Sequence, residues 1–162
     1  MSDATAFHEA GHAVAMIAVG IPFHYVTIES DEEFFGRVHV GYHPMFLNVG
    51  RRVYARDLRA YITSLYAGPI AETKFSSQPA GGDDEAQAGY LLYQLYGPRA
   101  ETHGGALRAQ ARRLVTAHWQ DIVCIAQALL RERDLQFARV EQLLTPGPAA
   151  VIGPTQRLKV RP

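Results

Sequence analysis

The sequence contains only one cysteine and two lysines. Because Cys124 is alone, the chain can form neither an internal disulfide framework nor a zinc site built from several cysteines. Its place in an apolar run predicts a core position. Neither Lys74 nor Lys159 follows a glycine, which excludes a Walker A phosphate loop. We therefore expect no ATP-driven activity from this chain itself.

Net charge and long apolar runs are lacking as well. Sixteen basic and sixteen acidic residues balance to a formal net charge of zero, so nothing indicates a nucleic-acid partner. The longest apolar stretch, Ala13 to Phe23, has eleven residues and contains Gly20 and Pro22, which makes it too short to cross a bilayer. No basic segment precedes it, so we expect no signal peptide, no membrane association and a cytoplasmic location.

Length and composition favour one domain. The 162 residues, 48% of them hydrophobic, are enough to bury a single sizeable core. We place this domain at residues 1–144. The remainder, residues 145–162, holds four prolines and ends in basic residues, which predicts a disordered tail.

Hydrophobic periodicity predicts a mainly α fold with a small β-hairpin or sheet near the first helix. That helix is expected over Asp3 to Val19, ended by Gly20 and Pro22. Two short runs rich in β-forming residues, Tyr25 to Glu29 and Gly36 to Val40, predict a hairpin. They are the only strands that the sequence predicts.

Further helices are predicted along the rest of the chain, separated by glycine and proline. Gly68-Pro69 should interrupt the first of them, and Gly97-Pro98 with Gly104-Gly105 should form a second break. Ser76 to Asp84 is predicted to be a loop. The expected helices are 52–75 with its interruption, 84–96, 106–133 and 139–144.

The motif His8-Glu9-Ala10-Gly11-His12 lies on the first predicted helix. Side chains four residues apart share one helix face, so His8 and His12 can bind a single metal ion, for which zinc is expected. Glu9 lies at the flank of that face and can reach a water molecule beside the metal, which is the position of a general base. A glycine inside a helix costs about 1 kcal/mol relative to alanine. Gly11 therefore indicates that another backbone approaches the helix closely.

A catalytic zinc site needs a third protein ligand, and several residues could supply it. Spacing favours the pair Asp83 and Asp84, because a glycine-rich loop that opens into a helix can bring a carboxylate against the motif helix. Both could equally be simple N-caps. The other candidates are Glu72, His24, His39, His43, His103 and His118.

Several segments resemble, in the same order, the peptidase domain of the FtsH-type AAA proteases. The motif helix, Ala6 to Val14, carries the strongest resemblance. The remaining segments are 26–28, 35–38, 66–72, 81–88, 125–133 and 140–144, so that the resemblance covers about residues 3 to 144.

This resemblance implies a helical zinc metallopeptidase domain with His8, His12 and Asp84 as zinc ligands and Glu9 as the catalytic base. Asp84 is preferred to Asp83 because it matches the family aspartate three residues before a Gln-Ala pair. The chain begins a few residues before the motif helix, so we expect a stand-alone peptidase domain without the ATPase module of the family. The resemblance is also compatible with a homo-oligomer, since the family's peptidase domains form rings.

The expected activity is hydrolysis of peptide bonds in polypeptides. Without an unfoldase of its own, such an enzyme should prefer unstructured segments or depend on a partner ATPase in trans. An extended substrate could pair with the edge strand around Gly36 to Val40. Two alternatives remain open at this point: a catalytically idle, zinc-containing regulator that binds peptides or proteins, and a metallohydrolase that acts on small amides.

Overall fold

The computed structural model describes residues 3–29, 36–40, 52–77 and 83–145. These residues form a mainly helical structure with a small antiparallel sheet, which confirms the predicted fold class. The helices are α1 (Asp3–Val19), α2 (Arg52–Phe75), α3 (Asp84–Tyr96), α4 (Ala100–Ala117), α5 (Trp119–Glu132) and α6 (Phe137–Leu144), with one 3₁₀ turn at Gly97–Arg99. Residues 146–162 of the predicted tail lie outside the described residues, so its disorder stays a prediction. The predicted domain limits likewise stay a prediction.

Helix α1 has the bounds that the sequence predicted. It ends where Gly20 adopts a positive φ of 78°, a conformation that glycine reaches without steric cost. The Ile21 N–H donates to the Met16 carbonyl at 2.8 Å and the Gly20 N–H to the Ile17 carbonyl at 3.1 Å. These two bonds form a Schellman motif, which satisfies carbonyl groups that the end of the helix leaves free.

Helix α2 is continuous, and the predicted interruption at Gly68-Pro69 is wrong. Pro69 lies inside the helix, where proline costs about 3 kcal/mol because it lacks an N–H and crowds the preceding turn. Tertiary packing offsets this cost. Every residue from 61 to 68 is buried, and α2 lies against both α1 and α4.

The core lies around α1 and α2. One side of α1 packs on α2 and another on α5, while α4 and α3 cover the remaining side of α2. Large apolar side chains that are almost completely shielded include Leu58 and Ile62 of α2, Leu91 of α3, and Ile122 and Leu129 of α5. Cys124, expected in the core, is only partly buried.

The sheet has three strands in the order β2-β1-β3. Strand β1 (Tyr25–Thr27) pairs antiparallel with β2 (Arg37–His39), with Val26 opposite Val38, as the predicted hairpin requires. On its other side β1 pairs antiparallel with β3 (Asp134–Gln136), which the sequence analysis missed. Asp-Leu-Gln has little intrinsic β character. Strand β3 forms because Leu135 is buried and the Ile28 N–H donates to the Arg133 carbonyl at 3.0 Å.

The last part of the chain differs from prediction in where its helices break. The expected helix 106–133 is divided at His118 into α4 and α5, and Gly104-Gly105 lie inside α4. His118 therefore lies between two helices and not on a helix face, with its Nδ1 atom 2.9 Å from Asp121 Oδ2. A Cβ on Gly104 would come 2.9 Å from Leu92 Cδ1, so this glycine permits close packing of α3 on α4.

Helix α6 starts two residues before the predicted position, at Phe137. Its apolar face closes over the sheet, where Phe137 meets Phe23 edge to face with ring centroids 5.0 Å apart. None of the helices in the described ranges has the length and apolar character needed to cross a membrane.

Candidate metal centre

The two motif histidines lie one turn apart on α1 and converge on one point. Their Nε2 atoms are 3.0 Å apart, and their rings meet nearly edge to face at 74°. His12 is buried, at 6% exposure, whereas His8 is partly open to solvent. Both imidazoles therefore direct their Nε2 atoms to the same point.

Asp84, the first residue of α3, completes the cluster. Its Oδ2 atom is 3.0 Å from His8 Nε2, and its Oδ1 atom is 3.3 Å from His12 Nε2. One ligand atom from each of the three residues lies within 4.8 Å of the others. Asp83 lies at the N-cap position of α3, is exposed and makes no capping hydrogen bond through its side chain. Of the two aspartates that spacing alone could not separate, the fold thus brings Asp84 to the histidines.

Each imidazole is held from its far side by a hydrogen-bond acceptor. His8 Nδ1 is 2.9 Å from the Glu72 Oε2 atom, and His12 Nδ1 is 2.8 Å from the backbone carbonyl oxygen of Ser64. A carbonyl oxygen or a carboxylate can only accept, so these contacts assign the ring proton to Nδ1 in each case. This tautomer leaves a lone pair on each Nε2 atom, aimed at the other histidine and at Asp84.

Three electron-rich groups at this spacing repel one another unless a cation lies among them. Without a metal ion, a proton on one of the Nε2 atoms can relieve this repulsion. Burial opposes protonation of His12, but the Asp84 carboxylate outweighs it and raises the pKa of His12 to about 9. Burial would likewise raise the pKa of Asp84, yet the facing imidazoles of His12 and His8 hold it well below its ordinary value.

The same atoms fit a divalent metal ion. Zinc bonds of 2.0–2.1 Å in tetrahedral geometry place two ligand atoms about 3.3 Å apart. The distances of 3.0 to 3.3 Å between the ligand atoms agree with that spacing to within a few tenths of an ångström. Two imidazoles and one carboxylate are a donor set of catalytic zinc sites, in which a fourth position remains for water or substrate.

Glycines at two positions allow α1 and α2 to approach closely enough to build this site. A Cβ on Gly11 would lie 2.7 Å from the Ala71 Cβ and 2.8 Å from the Ala67 carbonyl oxygen. A Cβ on Gly68 would overlap the His12 ring. The expectation that another backbone passes close to Gly11 is therefore confirmed, and Gly68 is the corresponding residue of α2.

Glu9 is buried beside the three-residue cluster and is not one of its members. Only 5% of its surface is exposed. Its carboxylate lies against the chain entering β2, because a Cβ on Gly36 would come 2.9 Å from Glu9 Oε1. Burial raises the pKa of the Glu9 carboxyl group, although the neighbouring His12 and His8 oppose this effect. The position suits a group that accepts and returns a proton.

The remaining candidate ligands either lie away from the cluster or contact it without joining it. Glu72 contacts His8 at the nitrogen that faces away from the cluster. His24 and His39 lie next to each other at the sheet, with ring centroids 5.7 Å apart. His103 stacks on Tyr96 and His118 contacts Asp121. His43 lies outside the described residues.

Two residues that support the site, Ser64 and Tyr61, could not be recognised from the sequence. Ser64 supports His12 through its backbone carbonyl, which any residue type would supply. Tyr61 is 7% exposed and its side chain hydrogen-bonds to Gln87, one turn after Asp84 on α3. Burial, together with the nearby Asp84 carboxylate, raises the pKa of Tyr61. Tyr61 thus links α2 to the start of α3, where Asp84 lies.

No protein-family model matches the chain, and no curated protein matches it at a significant level.

Proposed function

We propose that this protein is a zinc-dependent endopeptidase, similar in its site to the FtsH-type peptidase domain and independent of ATP in itself. The observation that carries the proposal is the convergence of His8, His12 and Asp84 on one point with Glu9 buried alongside. Two imidazoles, one carboxylate and a separate glutamate are the parts that a metallopeptidase of the His-Glu-x-x-His type needs.

The three clustered side chains would hold the zinc ion, each through one atom. When bound, the ion would polarise the carbonyl group of the scissile bond and acidify a water molecule. The Nδ1 contacts to Glu72 and to the Ser64 carbonyl keep both imidazoles in the orientation that this requires. Burial of His12 and Glu9 reduces the dielectric screening around the reacting groups.

Glu9 is the group that moves protons in this proposal. Its carboxylate takes a proton from the attacking water and delivers it to the amine nitrogen that leaves. Because only 5% of its surface is exposed, the Glu9 carboxylate can exchange a proton with the reacting groups while most bulk water is kept away from it. General acid–base catalysis of this type contributes typically about 100- to 10,000-fold in rate.

The position of β2 supports a proposal for the substrate class. This strand is an outer strand of the sheet formed by the described residues, and Gly36, directly before it, lies against Glu9. An extended peptide that pairs with β2 would run past the catalytic glutamate. Pairing through backbone groups selects for an extended chain and only weakly for side chains, so we propose unstructured polypeptides, or polypeptides delivered by a partner ATPase, as substrates.

The test is zinc content together with cleavage of casein, an unfolded protein, by the wild type and by Glu9→Gln. The wild type should carry about one zinc ion per chain and cleave casein. Glu9→Gln should keep the zinc and lose cleavage, since Glu9 is a base and not a ligand. This variant also serves as the control for contaminating proteases.

Other results would reassign the protein. Loss of zinc from Glu9→Gln would contradict the proposal that Glu9 is a base and not a zinc ligand. Zinc binding without casein cleavage would favour a zinc-containing binding protein or a protease that needs its partner. Cleavage of short amides but not of casein would favour a small-amide hydrolase.

A further inference from the structure

A cavity of about 390 Å³ lies between α2 and α4, on the side of α2 that faces away from the metal centre. Gly68 and Ala71 mark the side of α2 that contacts α1. The cavity is lined from α2 by a different stripe of residues, Tyr66, Pro69, Ile70, Thr73 and Lys74. At 3.6 residues per turn, this stripe lies opposite Gly68 and Ala71 on the helix. The cavity is therefore separate from the three-residue cluster.

Three cationic side chains line the cavity, and one of them already has a carboxylate partner. Arg108 of α4 lies 3.2 Å from Glu85 of α3, and its guanidinium group lies 4.8 Å from the centre of the Tyr66 ring. Arg112, one turn later on α4, and Lys74 form no ion pair with any residue in the described ranges. The cavity thus carries two positive charges that its single carboxylate does not neutralise.

The base of the same cavity is apolar. Val115 is fully buried and Tyr66 is 5% exposed, while Pro69 and Ile70 are half-buried beside them. The Thr73 hydroxyl donates to the Pro69 carbonyl of its own helix at 2.7 Å, so its proton is already engaged. Recognition of a charged group is therefore left to the cations at the rim, above an apolar surface.

We propose that this cavity binds an organic carboxylate with an apolar body, which is either a small molecule or the carboxyl terminus of a polypeptide. Arg112 donates to the carboxylate, since the planar guanidinium group can form two parallel hydrogen bonds with it. Lys74 adds a second positive charge, and the apolar body lies on Ile70 and Val115.

Two observations favour this class of ligand. The ion pair of Arg108 with Glu85 shows that an arginine of this cavity already accepts a carboxylate. The volume also falls in the range of roughly 300–1,000 Å³ that is usual for small-molecule sites. The inference requires neither zinc binding nor peptidase activity, and so it goes beyond the proposed function.

The first experiment is isothermal titration of the protein with phenylbutyrate, which has a carboxylate and an apolar body. Phenylbutyramide keeps the apolar body without the charge, and acetate keeps the charge without the apolar body. Phenylbutyrate should bind about 10-fold or more tightly than either, because each comparison removes one charge-assisted hydrogen-bond acceptor or one buried apolar group. Its affinity should also fall as salt is added, since the rim charges are open to solvent.

Arg112→Gln tests the site, and Arg113→Gln is its matched control. Both arginines are exposed residues of α4, but Arg113 does not line the cavity. Phenylbutyrate binding should weaken about 10-fold in Arg112→Gln, which loses the charge-assisted hydrogen bonds, and should stay unchanged in Arg113→Gln. Neither side chain is part of the core, and circular dichroism of each variant records that the fold is kept.

A short peptide that ends in phenylalanine, compared with the same peptide as its terminal amide, identifies the source of the carboxylate. Binding of the peptide acid that is tighter than that of phenylbutyrate would indicate a polypeptide terminus, and weaker binding would indicate a small molecule. In both cases the affinity should depend on Arg112.

Three results would overturn the inference. The first is that neither acid shows saturable binding at millimolar concentrations. The second is an equal affinity for phenylbutyrate in the wild type and Arg112→Gln, which would also result if the carboxylate bound at the metal centre. The third is binding of inorganic phosphate as tight as that of phenylbutyrate, since phosphate has no apolar body.

Discussion

Gly11 of α1 faces Ala71 of α2 so closely that a methyl group on Gly11 would lie 2.7 Å from the Ala71 Cβ. This distance is well inside van der Waals contact, and the second obstacle, the Ala67 carbonyl oxygen, belongs to a rigid backbone. Gly11→Ala should therefore force the two helices apart and destabilise the protein by about 1–3 kcal/mol, the usual cost of overpacking. Urea unfolding monitored by circular dichroism measures the change.

Gly105→Ala is the matched control for that substitution. Gly105 is an exposed residue of α4, and a Cβ there would meet nothing within 4 Å. Replacing a glycine inside a helix by alanine at such a position should stabilise the protein by about 0.5–1 kcal/mol. If both variants shift stability in the same direction, the close approach of α1 and α2 is not what Gly11 provides.

Asp84 and Asp83 should differ sharply in their effect on the metal. Asp84→Ala removes a carboxylate that lies 3.0 Å from His8 Nε2, whereas Asp83→Ala removes an exposed side chain without a capping bond. We expect zinc binding to fall steeply in Asp84→Ala and to stay near the wild-type value in Asp83→Ala. Isothermal titration of the metal-free proteins with zinc would show this. The reverse order would place the third ligand one residue earlier.

Gly36 should matter for catalysis and not for the metal. A Cβ at this position would come 2.9 Å from Glu9 Oε1 and 3.1 Å from Thr5 Cγ2, so Gly36→Ala should displace the Glu9 carboxylate. If Glu9 is the general base as proposed, its displacement would lower turnover while the three clustered side chains stay in place. Casein cleavage should fall by a factor on the order of ten or more at unchanged zinc content. An equal loss of zinc would show that the substitution disturbs the whole site.

Tyr61 links α2 to the helix that carries Asp84. Tyr61→Phe removes the hydroxyl that hydrogen-bonds to Gln87 while keeping the ring in its buried place. The loss of one such bond should destabilise the protein by about 1 kcal/mol and weaken zinc binding through the less firmly held Asp84. Stability is read from thermal unfolding of the metal-free protein and affinity from the zinc titration. Unchanged zinc affinity would mean that α3 holds Asp84 without this contact.

Local patterns predicted the helical elements well and their breaks poorly. Helix α1 has its predicted bounds because capping and periodicity lie within one stretch of chain. The break expected at Pro69 did not occur, since burial of α2 outweighs a local preference. Strand β3 could not be predicted, because Asp134–Gln136 becomes a strand only by pairing with β1 more than a hundred residues earlier.

The sequence by itself determined the mainly helical class and the pairing of His8 with His12, because four residues along a helix always bring two side chains to one face. Spacing left the third member of the cluster open among several residues, and only the resemblance to the FtsH-type domain favoured Asp84. The tertiary structure shows that Asp84, 76 residues from His8, meets both histidines, and that Glu72 and the Ser64 carbonyl contact their Nδ1 atoms. Such contacts depend on how α1, α2 and α3 pack, and packing is set by the whole core and not by any single segment.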